Sequence, residues 1–160
     1  MTKYKAVLFD FGGTLFNGFE YNTEEVGNFI FDIADNKDES KRAEFVKDCS
    51  NIAMKTIEIV MKCGIEFPID SFINTIYTKY NLKTSMDKKE MDWLFYHVAF
   101  PNTDIIDGAR DVLAYLYDNK IPIGIISNAN FRHSTFVRKT KEYDIYKYFE
   151  FIISSADMGC

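Results

Sequence analysis

Cysteine and histidine are scarce in this 160-residue chain, which holds only Cys49, Cys63, Cys160, His97 and His133. The cysteines are odd in number and form no CxxC pair, and together with the histidines they complete no zinc pattern. They read as two helix-packed thiols and one at the chain end, in a reducing compartment. Basic charge is also short: 19 Lys and Arg against 24 Asp and Glu leave a net charge of −5. Phosphate backbones attract basic surfaces, so this balance argues against a nucleic-acid partner. A small anionic ligand stays compatible, because a local site can oppose the global sign. No apolar run reaches membrane-spanning length, and the opening MTKYKAVLFD has too short an apolar stretch for a signal peptide. These absences predict a soluble, cytoplasmic protein without a membrane partner and leave its oligomeric state open.

What is present is core material, with 47% of the residues apolar. Ala6 to Phe9 and Ile121 to Ile126 are short apolar runs closed by turn residues, which suit central strands of a parallel sheet buried on both faces. Phe149 to Ile153 is a third candidate. Helical periodicity before the second and third strands supplies the connections that a βαβ arrangement requires. Between the first two strands, Val26, Phe29, Ile30, Ile33 and Ala34 form one helical stripe, with Asn22 and Glu25 placed to cap it. Phe45 to Cys63 forms a second, ended by Gly64. A third helix follows Pro68, and a fourth carries Met91, Leu94, Phe95 and Val98 behind Asp87 and Glu90. Four helices are too many for an ordinary crossover. Residues 18–101 therefore read as an inserted helical lobe, hinged at Asn17-Gly18 and Pro101-Asn102, on a core of residues 1–17 and 102–160. The core resumes with a helix whose apolar face is Ala109, Val112, Leu113 and Leu116. The fold class is α/β, a Rossmann-like parallel sheet with an all-helical insertion.

In such sheets ligands bind outside the carboxyl ends of the strands. Asp10 stands at the end of the first strand and Ser127-Asn128 at the end of the second. Gly12 and Gly13 let the backbone after Asp10 turn tightly beside a ligand, and Thr14 adds a hydroxyl. Asp10 taken alone reads better as a strand-ending, turn-capping aspartate. The glycines, the threonine and the matching Ser127-Asn128 favour a site for a phosphate-type ligand.

The string Val7-Leu8-Phe9-Asp10-Phe11-Gly12-Gly13-Thr14-Leu15 resembles the first motif of the haloacid dehalogenase superfamily. Ile125-Ile126-Ser127-Asn128 resembles its second motif, and the helical insertion is similar to that of its helical-cap members. The resemblance implies a hydrolase, a phosphatase acting on a small phosphorylated metabolite. Asp10 would be the nucleophile that forms an aspartyl-phosphate. Asp10 and the Gly12 carbonyl would hold Mg²⁺. Ser127, Asn128, Gly13 and Thr14 would bind the phosphoryl group, and a helix beginning near Asn130 would aim its N-terminus there. The basic residues Arg132, Arg138, Lys139 and Lys141 on that helix read as a solvated face, His133 as a surface residue, and Trp93, Phe95 and Tyr96 as core of the inserted lobe.

Two departures accompany the resemblance. Phosphatases of the superfamily usually carry a second aspartate two residues after the first, as general acid and base, and here that position is Gly12. Haloacid dehalogenases have tyrosine there and phosphonoacetaldehyde hydrolases alanine with a cap lysine, so Gly12 matches neither. Water or a residue of the cap would have to transfer the proton. The family's third and fourth motifs, a cation and acidic metal ligands, have no counterpart before Cys160, which predicts a truncated chain. A non-phosphatase member, or a relative that binds a phosphorylated ligand or a protein without turnover, is the alternative.

Overall fold

A computed structural model describes residues 4–64 and 66–158, so Cys160 lies outside the described residues. Three parallel strands form the sheet in the order β1-β4-β5: β1 Val7–Phe9, β4 Ile123–Ser127 and β5 Phe151–Ser154. Val7 pairs with Ile123, Phe9 with Ile125, Ile125 with Ile152, and Ser127 with Ser154. Because side chains alternate across a strand, these paired residues share one face. The core takes in Phe9, Ile123, Ile125 and Ile152 from that face. The opposite face carries Leu8, Ile126, Phe151 and Ile153, which are 42–56% exposed. The expectation of strands buried on both faces is therefore met on one face only, since the described core packs against just that side.

A short antiparallel ribbon, β2 Phe16–Asn17 with β3 Asp104–Ile105, brackets the helical segment. Gly18 sits beside it with φ of 81°, and a Cβ there would meet the Asn102 carbonyl oxygen at 2.2 Å. Only glycine satisfies both conditions. Between β2 and β3 run α1 Thr23–Asp32, α2 Arg42–Cys63, α3 Ile69–Tyr80 and α4 Lys88–Ala99. The caps follow the sequence signals. The Asn22 side chain accepts from the Glu25 amide, Asp87 accepts from those of Lys89 and Glu90, and Gly64 ends α2 in the left-handed conformation. After β3 come α5 Ala109–Asp118, α6 His133–Glu142 and a short α7 Ser155–Met158. No helix among the described residues is long and apolar enough to cross a membrane.

Several expectations need correction. The apolar stripe of α2 is buried at Phe45, Cys49 and Ala53, but its Ile59 and Cys63 emerge into solvent, as do the neighbouring Ile57 and Met61. At 22 residues α2 spans about 33 Å, whereas the 10-residue α1 beneath it covers about 15 Å, so the last turns run past their support. Cys63 is thus no packed thiol, while Cys49 is, and its burial pushes the thiol up to about 12. Val112 of α5 is exposed rather than part of an apolar face. The helix expected near Asn130 begins at His133, with Arg132 as its N-cap.

Two cations of α6 are not solvated. Lys139 is buried, with Nζ 3.3 Å from a Glu142 carboxylate oxygen and 4.8 Å from the Tyr143 ring centroid. Arg132 reaches across to the inserted helices. Its Nη1 donates to Asp92 of α4 at 2.6 Å and its Nη2 lies 2.9 Å from Asp70 of α3, which Lys88 also approaches at 3.1 Å. Asp92 has no exposed surface, and its Oδ1 accepts no hydrogen bond. Burial pushes its carboxyl up, and the Arg132 guanidinium opposes that shift. Removing one partner of a buried pair leaves the other uncompensated. Arg132→Ala is therefore expected to lower unfolding free energy in urea by about 3–5 kcal/mol, and Arg132→Met with Asp92→Leu to recover most of it. A single-variant loss below about 1 kcal/mol would show that Asp92 does not depend on the guanidinium.

Candidate active site

The residues after β1 are held by aromatic packing. Phe11 is buried and stacks on Phe16 at 4.5 Å between ring centroids and against Phe136 of α6 at 4.4 Å. Its carbonyl accepts from the Leu15 and Phe16 amides, both at 3.0 Å, which closes the turn through Gly12-Gly13-Thr14. The turn leaves Asp10 exposed at the strand tip, one carboxylate oxygen accepting the Phe11 amide at 2.7 Å.

The loop after β4 is held from two sides. Ser155 Oγ accepts the Ala129 amide at 3.0 Å, and Ser154 Oγ donates to the Phe131 carbonyl at 2.5 Å. The Phe131 ring packs on Tyr96 at 5.3 Å and on Phe95 and Phe100 at 6.0 Å, tying the loop to α4 and the residue beyond it. Two polar contacts fasten the same loop to the turn between α2 and α3. Asn128 Nδ2 lies 3.5 Å from the Gly64 carbonyl, and the Ile69 amide donates to the Asn130 carbonyl at 3.1 Å.

A cavity of about 200 Å³ opens at these strand ends, lined by Asp10, Gly12, Ser127 and Asn128 together with Glu66, Tyr96 and other residues. Four of its residues, Phe19, Glu66, Phe100 and Asn130, also line an adjoining chamber of about 420 Å³ whose other walls are chiefly apolar, including Tyr21, Ile57, Met61 and Phe72. The emergent turns of α2 thus form part of that second wall. Burial pushes the Glu66 carboxyl up and likewise the phenols of Tyr96 and Tyr21. No Lys, Arg or His lines either space among the described residues.

Of the sequence-predicted site residues, Asp10, Gly12, Ser127 and Asn128 meet in one cavity, whereas Gly13 and Thr14 face outside it. The Gly13 amide is spent on the Phe16 carbonyl at 2.7 Å. The N-terminus of α6 is partly engaged too, because Asp157 accepts the His133 amide at 2.6 Å. Tyr96 is packed as expected and yet lines the cavity. Glu66 is not legible in the sequence, since a lone glutamate between two helices carries no local signal. As for a metal, no three His, Cys, Asp or Glu side chains gather among the described residues. Asp10, one oxygen of which accepts the Phe11 amide, gives the cavity a carboxylate at the strand end, and Mg²⁺ is a cation that takes one or two carboxylates and keeps several waters.

The two glycines differ in what they tolerate. Gly12 has a negative φ, and a Cβ there would make only ordinary contact with the Phe19 ring at 3.5 Å, while Gly13 has φ of 72°. Gly12→Ala should keep or raise stability by about 0.4–1 kcal/mol, and Gly13→Ala should lower it by more than that. Equal denaturation midpoints for the two variants would contradict this backbone assignment.

A family model of haloacid dehalogenase-like hydrolases matches residues 4–160. No curated protein matches the chain. Among solved structures, the chain is similar to a HAD phosphatase from Thermococcus onnurineus at 17% identity and a TM-score of 0.52, covering 98% of this chain and 65% of that one. It is also similar to a HAD-superfamily hydrolase from Ehrlichia chaffeensis at 21% identity and a TM-score of 0.46, covering 100% of this chain and 66% of that one. The chain thus spans just under two thirds of either structure. With the family model matching nearly its whole length and a parallel α/β core to go with it, the chain belongs to the haloacid dehalogenase-like hydrolases.

Proposed function

We propose that the protein is a phosphatase that hydrolyses a small phosphorylated metabolite through an aspartyl-phosphate on Asp10. The observation that carries this reading is the cavity in which Asp10 and the buried Ser127 stand at the carboxyl ends of two neighbouring parallel strands. An Asp10 carboxylate oxygen attacks phosphorus and the bond to the leaving alcohol breaks. Water then attacks the aspartyl-phosphate, releasing inorganic phosphate and restoring the carboxylate. Ser127 and Asn128 donate to the phosphoryl oxygens. The Asp10 carboxylate and the Gly12 carbonyl would hold Mg²⁺, which would supply charge neutralisation between the two anions. Residues 18–101 act as the cap, excluding water and lining the space for the leaving group.

The test is turnover of p-nitrophenyl phosphate with Mg²⁺ by the full chain. Asp10→Asn is expected to lower kcat at least ~10³-fold, as loss of a nucleophile does. Ser127→Ala is expected to weaken binding roughly tenfold, the effect of one hydrogen bond to a charged group. Turnover of a haloacid that survives chelation would replace this reading with a dehalogenase. Stabilisation by phosphate with no turnover of any of these substrates would replace it with a binding role.

A further inference from the structure

We propose that Glu66 is the acid that protonates the leaving-group oxygen, in place of the side chain that Gly12 lacks; this rests on the phosphatase reading above. In this proposal a phosphate monoester spans both spaces, with its phosphoryl group beside Asp10 and Ser127 and its organic part in the larger chamber. The bond that breaks then lies at their junction. Among the described residues only Phe19, Glu66, Phe100 and Asn130 line both spaces, and of these four Glu66 alone can give up a proton. Its turn is fastened to the core loop on either side, through the Gly64 carbonyl to Asn128 and through the Ile69 amide to Asn130. Glu66 is therefore held over the strand ends by contacts that do not use its own side chain.

The electrostatics agree. Burial favours the neutral form of Glu66, which is the form a general acid needs. The titratable groups that share the two spaces with it are Asp10, Tyr96 and Tyr21. No cation among the described lining residues draws Glu66 towards its ionised state, and the two phenols, pushed up by burial, are poor proton donors near neutrality. In the step itself, the Asp10 oxygen bonds to phosphorus while the electron pair of the breaking P–O bond goes to the departing oxygen. That oxygen takes the Glu66 proton to leave as an alcohol. The Glu66 carboxylate regains a proton from the water that next attacks the aspartyl-phosphate.

Two substrates of similar shape separate this role from a structural one. p-Nitrophenolate leaves readily without a proton, whereas the benzyl alkoxide does not. In the first turnover, Glu66→Gln is expected to slow release of benzyl alcohol from benzyl phosphate by about 10²–10⁴-fold and release of p-nitrophenolate by less than tenfold. The fall in benzyl phosphate turnover as pH rises through the Glu66 pKa should vanish in that variant. Adding Gly12→Asp, which the backbone accommodates, should restore benzyl phosphate turnover at least tenfold. Equal losses on both substrates, or no loss on either, would overturn the assignment while Asp10→Asn still abolished activity. If Asp10→Asn has no effect, the phosphatase reading itself fails. A second readout needs no turnover: calorimetric binding of sulfate should weaken as pH rises and the Glu66 charge appears, and Glu66→Gln should flatten that dependence. A pH-independent affinity in the unaltered protein, or no sulfate binding, would overturn the proposal.

Discussion

Because β1 and β4 pair in parallel with Val7 opposite Ile123 and Phe9 opposite Ile125, the chain leaves both strands at the same edge of the sheet. Asp10 and Ser127, distant in sequence, arrive there side by side in one cavity. An antiparallel pairing would send the same residues to opposite edges. Phe11 makes the arrangement rigid, because its burial against Phe16 and Phe136 fixes the backbone one residue after Asp10. Leaving the carboxylate itself exposed costs little, since the neighbouring ring anchors the turn.

The helical segment is joined to that edge by packing and by charge. Phe131 inserts its ring among Phe95, Tyr96 and Phe100, and Arg132 follows directly with its bridge to Asp92 and Asp70. A buried carboxylate such as Asp92 is tolerated only beside a compensating cation. The pairing thus constrains how α3 and α4 meet the start of α6. The same loop holds the turn that carries Glu66, so the residues bounding the cavity from above depend on the contacts that join the two parts.

Much of the fold was legible because its signals are local. Hydrophobic period, the Asn22 and Asp87 caps and the Gly64 stop each act within a few residues of chain, and the helices and strands appear where those signals put them. The misreadings share a different cause. Residue type and position on a helix make Lys139 read as solvated and Cys63 as packed, yet their exposure follows from what packs opposite: aromatic rings and Glu142 for one, the short reach of α1 for the other. The open face of Leu8, Ile126, Phe151 and Ile153 likewise looks in sequence like any buried strand.

By itself the sequence determined that Asp10 and Ser127-Asn128 end apolar strands, that glycines follow the first of them, and that no acid stands two residues beyond it. These are matters of order along the chain. Only the tertiary structure decided that Glu66 shares the cavity with Asp10, that Gly13 and Thr14 turn away from it, and that Asp92 is buried against Arg132. Such contacts join residues far apart in sequence, and the packing that brings them together leaves no periodic trace in either partner.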